Sequence, residues 1–201
     1  MAVVLGEPKG KGASYGNRKL EVLRTAATLF NERGFHNTTM DDIAARLKVT
    51  KPALYHYAKG KDELLFEIGS IAIDEAMSFF DTPRLVRGSG AEQLEQFFIA
   101  WTKSICKPFG RCLVLTKPEI LEPASREVSK DSRRRIQRQV VDLIQVGVDD
   151  GSINTCDARL IALALFDLFN GIAYWYSDKG ELAPEEIAAQ FWRSFGIGLL
   201  S

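Results

Sequence analysis

The chain has no apolar run approaching the roughly 20 residues that a bilayer-crossing helix needs. Its longest, Leu160 to Phe166, is seven residues. The opening MAVVL is too short for a secretory leader, and Gly, Lys and Ser follow it. Cysteine is scarce and odd in number (Cys106, Cys112 and Cys156), with no CxxC spacing, so neither a disulfide framework nor a thiol metal site is expected. Histidine occurs twice, as His36 and His56, and neither has a second ligand at metal-binding spacing. There is no phosphate-cradling glycine loop, metal triad or nucleophile–base pair, which argues against an enzyme and against a bound cofactor. These gaps are read as those of a reduced, cytoplasmic protein that meets no membrane. Net charge is missing too, since 26 basic side chains balance 26 acidic ones.

That balance hides an asymmetry. Residues 1–60 carry ten basic and five acidic side chains, so the rest of the chain is acidic by five. Such a split suggests that only the first third meets a polyanion. Hydrophobic residues make up 46% of the 201, enough for a buried core in one domain or two small ones.

Periodicity predicts helices and no strands, an all-α chain. Residues 1–16, rich in Gly, Lys and Ser, read as a flexible arm. Leu20, Leu23, Ala27 and Phe30 mark one face of a helix from Asn17 to Arg33, closed by Gly34. Thr39 and Asp42 form a capping box for a second helix, with Ile43, Ala44 and Leu47 buried. Thr50 caps a short third helix whose first turn tolerates Pro52. A fourth runs from Lys61 to Phe80, and Asp81 to Gly90 reads as a linker. Further helices are expected over Ala91–Cys106, Ala124–Asp150, Asp157–Tyr176 and Pro184–Leu200, with breaks at Pro108–Gly110 and Pro118–Pro123. Two helices three or four residues apart, the second short and bearing Lys and Tyr, fit a helix-turn-helix or an ordinary helical hairpin.

The stretch KLEVLRTAATLFNERGFHNTTMDDIAARLKVTKPALYHYAKGKDELLFEI is more specific. Its AATLFNERGF, TTMDDIA, VTKPALYHY and KGKDELL segments resemble the DNA-binding domain of the TetR family of bacterial transcriptional regulators. Two positions depart from the family pattern: Lys48 stands at the usual turn glycine and Ala58 at a usual phenylalanine. The resemblance implies a homodimer without catalysis. Its three-helix DNA-binding domain would span residues 17–60, and a helical ligand-binding and dimerising domain residues 61–201. It also implies that Thr50, Lys51, Pro52, Ala53, Tyr55 and His56 face the major groove, with Thr39, Tyr57 and Lys61 on phosphates. Lysines supply sequence-independent affinity, and hydroxyls and helix N-termini set register. Lys51 could bond guanine, and Pro52 and Ala53 could touch a thymine methyl. With no Arg, Asn or Gln on the third helix, direct readout looks thin and DNA shape is expected to contribute.

The segment LIALALFDLFNGIAYWY is apolar nearly all round and must be covered on most faces. In the family the last two helices pair with their symmetry mates. That places Ile161, Leu165, Phe191, Phe195 and Leu199 at a dimer interface; the alternative is a plain core. Phe97, Phe98, Trp101, Ile105, Phe169 and Trp175 are candidate pocket walls or core, with Asn170 as polar handle. Arg134, in the cluster Arg133, Arg134, Arg135 and Arg138, is a candidate anion contact or part of a solvated face. The C-terminal run FNGIAYWYSDKGELAPEEIAAQF is similar to TetR regulators of lipid, acyl-CoA or steroid catabolism. The resulting expectation is a repressor released from a palindromic operator by a hydrophobic, anionic effector. The alternatives are an architectural DNA-binding protein without effector and a small helical enzyme.

Overall fold

A computed structural model describes residues 11–81, 88–196 and 199, without the side chains of residues 11–14 and Phe195. Residues 1–10, positions 82–87 of the expected linker and the end of the last helix near Leu200 lie outside the described residues. Ten helices are described: α1 (Lys11–Arg33), α2 (Met40–Leu47), α3 (Lys51–Tyr55), α4 (Lys61–Met77), α5 (Gly90–Ile105), α6 (Pro108–Leu115), α7 (Pro123–Asp149), α8 (Ala158–Asn170), α9 (Ile172–Trp175) and α10 (Pro184–Phe195). A 3₁₀ turn at Pro118–Ile120 precedes α7, and there is no β-strand among the described residues.

The first helix begins at Lys11, six residues before the expected Asn17, so residues 11–16 are not an arm. Tyr15 explains the extension. Its ring stacks on Tyr57 at 5.2 Å and its hydroxyl donates to the His56 carbonyl at 3.1 Å. Contact with the end of α3 thus outweighs the poor helix propensity of Gly12, Ser14 and Gly16. Both expected caps form. Thr39 and Asp42 make the full capping box of α2, and the Thr50 side chain accepts from Ala53 N–H to open α3.

Between α2 and α3 the chain needs a left-handed residue, and Lys48 supplies it at φ 57°, ψ 40°. A left-handed non-glycine residue costs roughly 1–2 kcal/mol, while glycine loses roughly 0.5–1 kcal/mol more on folding. Lys48→Gly is therefore expected to raise stability by about 0.5 kcal/mol, a melting-point gain of about 1–2 °C. A thermal melt that is unchanged or lower contradicts the strain at this turn.

Two cores form. In the first, Leu23, Ala27, Phe30, Ile43 and Leu54 meet Leu64, Leu65 and Ile68 of α4. In the second, Ala72, Ile73 and Ala76 of the same α4 meet α5, α7, α8 and α10. The helix α4, at whose start the division is expected, therefore contributes to both cores. The expected break at Pro108–Gly110 is instead the start of α6. Proline is harmless in a first turn, and Gly110 lets α6 lie on the end of α5. A Cβ at Gly110 would sit 2.2 Å from the Ser104 carbonyl oxygen. Cys112 of α6 and Leu121 beyond it are buried in the first core.

The helix expected over Asp157–Tyr176 is α8 and α9, interrupted only at Gly171. Over Ala158–Trp175 its mean hydropathy is 1.3, so by length and composition this one stretch is apolar enough to cross a bilayer. Counting unbroken apolar runs had missed it, because Arg159 and Asp167 interrupt them. One face packs against α5 and α7; Leu160, Leu163, Tyr174 and Trp175 are exposed on the other.

Candidate DNA-reading surface and ligand cavity

Leu54 turns fully inward and fixes the rotation of α3. Lys51, Pro52, Tyr55 and His56 are consequently exposed, Ala53 and Tyr57 half-buried, and Thr39 and Thr50 exposed at the helix starts. All nine residues expected to meet DNA, Lys61 included, belong to this head. Five of them already have side-chain partners: Thr50 through its cap, Tyr57 through the Tyr15 ring, and three more. Lys51 Nζ lies 2.8 Å from Asp41 Oδ2, and that hydrogen bond, then the carboxylate's charge, holds its pKa above the usual lysine value. Lys61 Nζ donates to the Phe35 carbonyl at 2.8 Å and sits 4.5 Å above the Phe35 ring, leaving two ammonium protons for a phosphate. The Thr39 hydroxyl accepts from Asp42 N–H and donates to Asp42 Oδ2 at 2.6 Å. That hydroxyl and the Thr39 N–H hold the Asp42 carboxyl below its usual range, helped by Arg33 and Lys61. Sequence reasoning did not find Asp41, Tyr15 or Lys19. Lys19 donates to the Tyr57 carbonyl and pairs with Glu67 at 2.8 Å. No local spacing announces these contacts, because they join α1 and α2 to α3 and α4.

In the second core a cavity of about 160 Å³ is lined by Trp101, Leu113, Arg133, Ile136, Gln137, Leu163, Phe166 and Asn170. Trp101 and Asn170 are expected lining residues, and the indole N–H donates to Asn170 Oδ1 at 2.9 Å. Phe97, Phe98, Ile105 and Phe169 are not walls of this cavity. They are fully buried behind it, with Phe98 stacked on Phe169 at 4.5 Å. Phe97 instead borders a smaller cavity of about 90 Å³ beside Phe79 and Trp101. Trp175 is 55% exposed and lies on the surface near Phe191.

Arg134 points outward to Asp131 at 2.9 Å and borders an open groove with Arg138 and Arg159. The arginine facing the cavity is Arg133. Helical periodicity carries that signal, since Arg133 lies three residues before Ile136 and seven before Val140, both buried. Most of the expected dimer residues also touch the second core. Ile161, Leu165 and Phe191 pack half-buried on their own core, Leu199 is buried, and the Phe195 side chain lies outside the described residues. Among the described residues, the large apolar side chains left exposed on this face are Leu160, Leu163, Tyr174 and Trp175, of which Leu163 also lines the cavity and Trp175 lies beside Phe191. Burial raises Cys106 to about 11 and Cys112 to about 12, so both thiols stay protonated.

Residues 22–68 match the model of bacterial regulatory proteins of the tetR family, and residues 87–199 match the Tetracyclin repressor-like C-terminal domain. The chain belongs to the TetR family. It is therefore a DNA-binding transcriptional regulator and not an enzyme. This TetR regulator is 27% identical over 178 residues to the HTH-type transcriptional repressor KstR2 of Mycolicibacterium smegmatis, covering 87% of each chain. The solved structure of the ketosteroid regulator KstR2 of Mycobacterium tuberculosis superposes with TM-score 0.80 at 22% identity, covering 92% of this chain and 95% of that one. AibR in complex with isovaleryl coenzyme A and operator DNA superposes with TM-score 0.75 at 23% identity, covering 87% and 95%.

Proposed function

We propose that this regulator acts in the cytoplasm as a homodimeric repressor, released from a palindromic operator by a small effector with a compact apolar body and an acyl oxygen. The carrying observation is the position of α6. Its Cys112 is buried in the DNA-reading head while the adjacent Leu113 walls the cavity. A ligand that moves Leu113 is therefore felt by α1 and α4, which pack on α6. An effector favouring one arrangement of these helices changes DNA affinity by its differential binding to the two states.

The cavity's 160 Å³ is close to the roughly 150 Å³ that holds a benzene ring, so a short branched acyl group or one ring fills it. The names of the relatives support this class: KstR2 is a repressor, and AibR is seen with isovaleryl coenzyme A and operator. Two chains would pair isologously across the exposed face of α8 and α9. Each α3 would then enter the major groove with Lys51, Pro52, Ala53 and Tyr55 foremost, while Thr39, Tyr57 and Lys61 grip phosphates.

Selection of bound duplexes from a random pool tests this directly. The expected product is a palindrome with half-sites roughly 34–36 Å apart, or a multiple. A shallow preference without twofold symmetry contradicts the repressor reading and favours an architectural role.

A further inference from the structure

Arg133 is a half-buried cation without a counter-ion. Among the described residues no carboxylate lies within ion-pair distance of it. Its Nε is buried and has no hydrogen-bond partner, an uncommon state for a charged donor. Burial destabilises its charged form and holds its pKa below the usual arginine value, an effect that the charge of Glu119 only partly offsets. One guanidinium nitrogen is engaged: Nη2 donates to the Leu113 carbonyl at 2.7 Å and the Thr116 carbonyl at 3.2 Å. Leu113 lies in the last turn of α6 and Thr116 caps it, so Arg133 neutralises the negative end of that helix. The same side chain lines the otherwise mainly apolar cavity.

We infer that Arg133 is the receptor for the effector's acyl oxygen, and that its capture there withdraws it from the end of α6. This rests on the effector reading above and adds the atom that transmits it. With the ligand absent, the guanidinium Nη2 holds α6 by its C-terminal carbonyls, and α6 holds the head through Cys112. An acyl oxygen bonded to the guanidinium competes with two neutral carbonyls. A carboxylate competes most strongly, because charge-assisted hydrogen bonds are roughly twice as strong as neutral ones. Freed from its cap, α6 can shift against α1 and α4. The oxygen can come from a free short-chain acid or from its thioester, and the two sources are separable.

The test uses full-length wild type, Arg133→Met, Arg133→Lys and, as a surface-charge control, Arg135→Met. Operator affinity is read by fluorescence anisotropy on the selected duplex, alone and against sodium isovalerate and isovaleryl coenzyme A. Circular dichroism melts report folding. R133M is expected to bind operator about tenfold more weakly without ligand and to lose its response to either probe. R133K keeps a cation without the fork. It is expected to bind operator near wild-type strength and to need about tenfold more probe for release. R135M is expected to match wild type. Release by isovalerate identifies the free acid as the source; release only by the coenzyme A ester identifies the thioester.

If the wild type is released while R133K and R133M respond at the same probe concentrations, the Arg133 inference fails and the effector reading stands. If the wild type takes up neither probe, the acyl class is wrong and the inference falls with it. Should R133M not fold, R133K alone decides between these outcomes.

Discussion

Leu160→Asp is expected to convert the protein to monomers and to weaken operator binding about a thousandfold. Leu160 is 63% exposed on α8, and Tyr174, Trp175 and Leu163 continue the exposed apolar face. A carboxylate in a twofold apolar contact appears twice, so each copy is desolvated and the pair repel. Loss of the second half-site contact then removes the gain from linked binding, which spans about 10²–10⁴. Light scattering should give the mass of a single chain, and circular dichroism should be unchanged because Leu160 supports little of its own core. Val128→Asp, at another exposed apolar residue near the start of α7, is the control and should remain dimeric. A dimeric L160D protein with undiminished operator affinity would place the contact elsewhere.

Gly110→Ala is expected to cost about 3 kcal/mol, the upper end for overpacking, and to lower the melting temperature by about 6–12 °C. The added carbon would meet Ser104 O at 2.2 Å, Ser104 C at 2.5 Å and Ile105 Cα at 2.9 Å. All three are backbone, so no side chain can swing away, and α6 must lift from α5. Because α6 also fills the head, operator affinity should fall beyond what the melt alone explains. Gly69→Ala on α4 is the matched comparison. Its new carbon would lie 3.7 Å from Leu113 Cδ1, an ordinary contact, so it should be neutral or slightly stabilising. A G110A protein that melts like wild type would refute the close helix crossing.

The contrast between these glycines also shows where sequence reasoning ends. Local chemistry was legible: the caps at Thr39 and Thr50, the stop at Gly34 and the inward Leu54 all follow from neighbours a few residues away. Gly110 beside Pro108 read as a break because its reason, the backbone of Ser104, belongs to another helix. The start of α1 was misplaced likewise, since Tyr15 is anchored by residues about forty positions later. At the candidate site the family motif singled out α3, but it could not show that Lys51, Lys61 and Thr39 are tethered in advance. For the cavity, the composition named Trp101 and Asn170 on lining faces of α5 and α8, and Phe97, Phe98, Ile105 and Phe169 on buried ones. The one-residue choice between Arg133 and Arg134 depends on a 100° rotation, which the buried stripe of α7 encodes and a count of arginines does not.

Tyr15 and Lys19 tie the outer end of α3 to α1, and Lys61 ties the start of α4 to Phe35. α3 is thus held at its outer end by α1, and α4 is held by the turn before α2, so the reader is built as one solid tooth. In the proposed dimer, distortion arriving from the cavity would change the gap between two such teeth but hardly the profile of either. On that reading, preference among operators and responsiveness to an effector would be separable traits, free to drift independently as copies of such a regulator diverge.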